Sequence, residues 1–234
     1  MEIEEYSNYK HFYSNKIPIL FRKHINTYHW KTFLDVGCGD GGLLFSMNKE
    51  GYFKGKKVYA IDLSKERVKR SKSINPEFEC FVASAIDMKP IKDNSIDLLV
   101  STQVIEHVPD DNLIIEEIGR VLNKNNNLVY LSTVFKKWYG WYFYRCNNRW
   151  RLDPTHVREY THNDQLLDIL REHNFNILEI KKTLFWFSAT TPILRLLNSD
   201  NKIITNNKII KLISKIKIPI IGYYNWEIIC RLAN

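Results

Sequence analysis

Two apolar patterns take turns along the chain. Short β-rich runs, Phe33 to Val36, Lys57 to Ile61, Glu79 to Ala83, Ile96 to Val100 and Leu128 to Thr133, are each bounded by Gly, Asp, Asn or Ser. Between them lie stretches that read as helical: the segment opening at Gly42, ERVKRSKSI from Glu66 to Ile74 after Ser64, and Leu113 to Leu122, where apolar residues recur at three- and four-residue spacing. A period of two marks a pleated strand and a period of 3.6 a helix with one buried face. Strands that alternate with helices predict βαβ units and a mostly parallel sheet.

The first of these transitions is the most informative. In Thr32 to Leu44, TFLDVGCGDGGLL, an apolar run stops at four glycines, Gly37, Gly39, Gly41 and Gly42, and a second apolar run begins at once. This predicts strand, tight turn, helix, with backbone amides open to a ligand in the crevice. Gly37, Gly39 and Gly42 meet the spacing of a dinucleotide loop. Asp35 and Asp40, however, would set negative charge against a pyrophosphate. A cationic, phosphate-free ligand such as S-adenosylmethionine fits better. Asp62, at the end of the second strand and some 20 residues on, stands where such folds hold a ribose, and Ser64 reads as the cap of the next helix.

These residues, with DNSIDLLVSTQVIEHVPD from Asp93 to Asp110, resemble the Rossmann-like, class I S-adenosylmethionine-dependent methyltransferases of the small-molecule type (methyltransferase type 11-like). The resemblance covers Thr32 to Val134 and implies an α/β fold: a doubly wound, seven-stranded, mostly parallel sheet with helical and aromatic cap insertions. Phe175 to Trp186 and Asn225 to Leu232 are then the sixth strand and an antiparallel seventh. It implies a cofactor site of Asp35, Gly37, Cys38, Gly39, Asp62 and Leu63, an adenine edge at Ser84, Ala85 and Ile86, and Thr102 and Gln103 beside the methionine moiety. The product would be S-adenosyl-L-homocysteine. One domain, 1–234, is expected, divided into an N-terminal helical cap (1–31), a cofactor-binding half (32–134) and a specificity half (135–234).

Composition narrows the picture only a little. At 234 residues, 44% hydrophobic and 26% charged, the chain has globular values. The formal charge of +8 admits nucleic acid, an anionic membrane surface or an acidic substrate. Four scattered cysteines, Cys38, Cys80, Cys146 and Cys230, form no CxxC pair, so no metal site is expected and a reducing, cytoplasmic home is. The acidic start, MEIEEYSNYK, has no signal-peptide pattern and no apolar run is long enough for a bilayer.

The specificity half carries the acceptor candidates. Tyr13 belongs to an aromatic N-terminal segment expected to be helical and to lie over the crevice. KKWYGWYFYRCNNRW, from Lys136 to Trp150, interleaves rings with cations and has neither period; Trp141 at its centre is a candidate acceptor contact. It reads as a lid, an interfacial patch or a base-stacking surface. DPTHVREYT, from Asp153 to Thr161, precedes a helix that Thr161 would cap, and many enzymes of the resembling family carry a similar DPxHV segment at the mouth of the site. His156, oriented by Asp153, is the first candidate general base and His107 the second, with Arg158 and Tyr160 shaping the pocket. Pro192 to Leu197 and Lys208 to Ile218 are expected to form basic amphipathic helices, suited to an anionic membrane surface or to ordinary packing.

The expected reaction is O-, N- or C-methylation of a small or lipid-like acceptor. The alternatives are a nucleic-acid methyltransferase, against which stands STQV where an NPPY-like tetrapeptide would fall, and a non-catalytic cofactor-binding protein.

Overall fold

A computed structural model describes residues 16–142, 144–146, 149–188, 212–213 and 215–233. The elements, in order, are α1 (Ile19–Ile25), β1 (Thr32–Val36), α2 (Gly42–Lys49), β2 (Lys57–Asp62), α3 (Lys65–Lys72), β3 (Glu79–Val82) and β4 (Leu98–Thr102). A single 3-10 turn (Ile105–His107) follows, then α4 (Asp111–Val121), β5 (Leu128–Lys136), a two-stranded ribbon β6 (Tyr144–Cys146) and β7 (Arg149–Arg151), α5 (Asp164–Glu172), β8 (Phe175–Ser188) and β9 (Lys217–Leu232).

Seven strands form one sheet in the order β3-β2-β1-β4-β5-β9-β8. The first five pair in parallel, while β9 pairs antiparallel with both β5 and β8, so six strands share a direction and β9 alone runs against them. A parallel sheet must be covered on both faces, and its central strands are correspondingly buried along almost their whole length. Leu34, Val36, Leu99, Val129 and Leu131 face one layer, with Ile114, Ile115 and Ile118 of α4 and Leu166 and Leu170 of α5. Phe33, Ala60, Leu98 and Val100 face the other, with Leu20, Phe21 and Ile25 of α1 and Leu44 and Met47 of α2. Four of the five apolar side chains of α4, Ile114, Ile115, Ile118 and Val121, are wholly buried. At roughly 1.5–3 kcal/mol for each such side chain, this one face outweighs any helix propensity in the segment.

Several expectations need correction. Lys217 and Ile218 begin β9 rather than ending a helix; residues 208–211 and the segment 192–197 lie outside those described, as does Tyr13. The cap of α5 is not Thr161: the N-cap position is Asn163, and the Gln165 side chain reaches back to accept from the backbone N–H groups of Thr161 and His162. Ser64 does cap α3, accepting from Arg67 N–H at 3.3 Å. In α1, Phe21 packs on the sheet against Tyr130, with ring centroids 5.1 Å apart.

Gly222, inside β9, has φ +80°, and a Cβ there would lie 2.5 Å from Gly140 Cα. The 138–141 turn is thus pinned against β9 through a contact that leaves no room for a side chain, and Lys137 N–H donates to Gly222 O at 2.8 Å. Among the described residues, no helix is long and apolar enough to cross a membrane.

Candidate active site

At the carboxyl ends of β1, β2 and β4 the sheet opens into a cavity of about 1100 Å³, the position where open α/β sheets bind their ligands. The glycine loop forms its floor. Gly37 and Cys38 N–H both donate to Ile61 O, at 2.8 and 2.9 Å, hooking the loop onto the end of β2. Gly37 has φ +71°, and a Cβ there would stand 2.3 Å from Val104 Cγ2. Only glycine allows this turn and this approach together.

Asp62 closes the loop from the other side. Its Oδ2 accepts from Gly39 N–H and its Oδ1 from Ser64 N–H, both at 2.9 Å. Each oxygen keeps a further lone pair for a ribose hydroxyl. Asp35 is fully buried, and its Oδ1 has no hydrogen-bond donor. Burial, with a smaller contribution from the Asp62 charge, pushes its carboxyl up to about 7. An unsatisfied buried carboxylate bordering a cavity fits a cationic ligand. Asp40 does not share that task, because Arg70 pairs with it.

Cys38 and Leu63 line the cavity, as do Ser84, Ala85 and Ile86 from the turn after β3 and Thr102 and Gln103 from the end of β4. Burial raises the Cys38 thiol well above its ordinary value, so it is an apolar wall and not a nucleophile. Gln103 takes φ +55° and donates from Nε2 to Asn225 Oδ1 at 3.1 Å. Asn225 and Tyr130 also line the cavity, and neither was expected from the sequence; the Tyr130 hydroxyl donates to Glu227 at 2.8 Å. The signal for Tyr130 lay in the β5 alternation, which turns Tyr130 to the opposite face from Val129 and Leu131.

The acceptor-side expectations change more. His107 lines the cavity, whereas His156 is buried behind it, its ring centroid 4.9 Å from that of His107. His156 is oriented by Glu159 Oε1, 3.0 Å from Nδ1, and not by Asp153, which accepts from the backbone N–H and hydroxyl of Thr155. His107 is pulled down to about 4, chiefly by burial and then by His156. Beside them Glu106 is fully buried; Thr133 donates to its Oε2 at 2.8 Å, and Oε1 has no donor. Burial holds its carboxyl up, at about 7.

Arg158 and Tyr160 are not in the pocket. Arg158 pairs with Asp111 and donates to the carbonyls of Ile105, Val108 and Pro109, fastening the 153–160 segment over the 3-10 turn. Tyr160 is core, its hydroxyl donating to Asp111 Oδ2 at 2.7 Å. Trp141 is half exposed, stands against Trp150 and does not line the cavity.

A sheet with six strands in one direction and an acid-bearing glycine loop at its carboxyl edge defines a class. Residues 34–130 match the methyltransferase domain family, and this domain is of the Rossmann-like, class I S-adenosylmethionine-dependent methyltransferase type. Among relatives, the chain is 36% identical over 107 residues to the ubiquinone biosynthesis O-methyltransferase of Xanthomonas oryzae pv. oryzae, covering 43% of this chain and 42% of that one. It is 31% identical over 112 residues to the ajmaline N-methyltransferase of Rauvolfia serpentina, covering 45% and 37%. The match thus spans less than half the length of these relatives. Among solved structures, a SAM-dependent methyltransferase from Archaeoglobus fulgidus superposes with a TM-score of 0.56 at 18% identity, covering 90% of each chain.

Proposed function

We propose that the protein transfers a methyl group from S-adenosylmethionine to a small or lipid-like acceptor. The observation that carries this reading is the buried Asp35 carboxylate, without a donor on Oδ1, beside a loop that Gly37 keeps open. Asp35 supplies charge for an ammonium, Asp62 accepts from ribose hydroxyls while holding Gly39, and the Ser84–Ile86 turn gives the adenine a narrow polar edge. When bound, the cofactor supplies an electrophilic sulfonium methyl group. The chain's own contribution is alignment of the acceptor with that methyl group and a route for the acceptor's proton.

That route lies at the wall formed by His107, with Glu106 and His156 behind it, the only cluster of two imidazoles and a carboxylate on the cavity among the described residues. The acceptor enters between this wall and β8, whose Thr183, Leu184, Phe185 and Trp186 line the opposite side. An apolar β8 side suits an acceptor with a hydrocarbon or aromatic body.

The same strands carry an edge suited to a membrane surface. Trp138 is 90% exposed, Ile221 69% and Trp186 56%. Trp138 is tied to β9 through Gly140 and Gly222, and Trp186 pairs in register with Pro219. Exposed Lys215 and Lys217 flank them. Aromatic rings with lysines suit an anionic lipid interface, where each Lys contributes about 1 kcal/mol. This supports peripheral membrane association and a lipid-linked acceptor.

The test is transfer of labelled methyl from S-adenosylmethionine into lipid extract, metabolite extract and RNA offered in parallel. Incorporation into an organic-soluble or small-molecule fraction is expected. Incorporation into RNA alone would favour the nucleic-acid reading, and binding without transfer in any fraction would favour a non-catalytic protein.

A further inference from the structure

The cluster behind the acceptor wall has a feature that catalysis by a lone imidazole does not require. One donor atom from each of Glu106, His107 and His156 lies within 4.8 Å of the others. Each residue also has a polar atom engaged by a neighbour. Glu106 Oε2 accepts from Thr133 Oγ1 at 2.8 Å. His107 Nδ1 stands 3.3 Å from the Thr155 carbonyl oxygen, a contact that an Nδ1–H makes as donor. His156 Nδ1 meets Glu159 Oε1 at 3.0 Å in the same sense. Both rings are thereby held in the tautomer that leaves Nε2 as a bare acceptor, and Glu106 Oε1 is buried with no donor. Two imidazoles and a carboxylate thus converge at one place, each residue held by a contact of its own.

That arrangement matches what a metal ion needs from its surroundings. Ligating histidines almost always give their other ring N–H to a carboxylate or a backbone carbonyl, and both of those occur here. Glu159 is itself fixed, accepting Leu152 N–H at 2.6 Å. We propose that Glu106, His107 and His156 bind a divalent transition-metal cation, and that the coordination positions left open by three protein ligands face the acceptor through the His107 side of the cavity. Two imidazoles and one carboxylate suit zinc, manganese or iron(II) more than magnesium or calcium, which prefer all-oxygen sets. Donors about 2.1 Å from a tetrahedral cation stand about 3.4 Å apart, so the side chains close in by little more than about an ångström on binding. The inference rests on the methyl-transfer reading and deepens it. A cation at this wall selects an acceptor with an oxygen donor, a phenol, enol or similar hydroxyl, and so favours O-methylation; with the imidazoles engaged as ligands, the wall promotes loss of the acceptor's proton through the cation, and the proton passes to solvent instead of to His107.

The experiment uses the full chain, stripped with chelator and dialysed, and Zn²⁺ alone as the calorimetric probe. One saturating equivalent is expected, lost in His156→Ala and in Glu106→Gln, and weakened about 10- to 100-fold in Glu159→Gln, a residue that orients the His156 ring and is not itself a ligand. S-adenosylhomocysteine binding, measured on each variant, reports folding independently. If a variant fails to fold, Co²⁺ loading of the wild type decides: two exchangeable imidazole N–H resonances with paramagnetic shifts are expected from His107 and His156. Wild-type protein that binds S-adenosylhomocysteine but takes up no Zn²⁺, or that binds Zn²⁺ equally in all three variants, overturns the metal site and leaves methyl transfer standing. Protein that takes up Zn²⁺ through these residues but not S-adenosylhomocysteine supports the metal site and removes the methyl-transfer reading.

Discussion

Replacing Asp35 by asparagine should uncouple folding from pH in a way that can be worked out in advance. In the native apo protein this carboxyl titrates at about 7, against 3.8 when solvated, because burial disfavours its charge. Between those values the native state holds a proton that the unfolded chain has released. Stability therefore falls as pH rises through this window, and the loss is complete above about pH 7. A difference of about three units at 1.36 kcal/mol each makes the total about 4 kcal/mol, a large part of a typical domain's stability. The Asp35→Asn substitution removes the charge and keeps the shape. Urea unfolding of the apo protein from about pH 4 to about pH 8 should show wild type and Asp35→Asn converging at the acid end and diverging by up to about 4 kcal/mol, the variant the more stable, at the basic end. In the wild type, S-adenosylhomocysteine, whose ammonium favours the ionised carboxylate, should bind more tightly as pH rises through 7, and the variant should lose that dependence. Parallel pH slopes for the two proteins, with no separation above pH 7, would refute the reasoning.

Gly37→Val should abolish cofactor binding by calorimetry, since φ +71° and a Cβ 2.3 Å from Val104 leave neither the conformation nor the space for a β-branched side chain. Asp62→Ala should weaken S-adenosylhomocysteine binding strongly and lower the thermal midpoint, because two loop donors, Gly39 and Ser64 N–H, lose their acceptor at about 1–3 kcal/mol each. Tyr160→Phe should cost stability of about 1–3 kcal/mol by leaving Asp111 short of a donor, and leave cofactor affinity unchanged in the same titration. Trp138→Ser with Ile221→Ser should reduce co-sedimentation with anionic liposomes at low salt, without loss of cofactor binding.

The cofactor half was legible because its signals are local. A glycine loop, an acid at a strand end and a cap at Ser64 are each specified within a few residues, and the structure sets Asp35, Gly37, Asp62 and Gln103 around one cavity. The acceptor side depends on contacts between distant segments. That Arg158 fastens to Asp111 and to carbonyls some 50 residues earlier, and that His156 turns to Glu159 while Glu106 fills the space behind it, follows from how the 153–160 segment crosses the 3-10 turn. No pattern within DPTHVREYT specifies that crossing. The helix expected over 208–218 was carried too far for a different reason: Leu212 and Ile213 are helical, but Lys217 and Ile218 are strand. Lys215-Ile216-Lys217-Ile218 alternates with period two and is followed by Pro219, which is strand patterning, and β9 does begin at Lys217. The apolar content of the segment concealed its period.

The central claim is that this cavity is an S-adenosylmethionine site, and a side-by-side calorimetric titration of the full chain with S-adenosylhomocysteine and with NAD tests it most directly. Saturable binding of one equivalent of S-adenosylhomocysteine, lost in Gly37→Val and with no response to NAD, is the expected result. Tight NAD binding with no heat from S-adenosylhomocysteine would contradict the account.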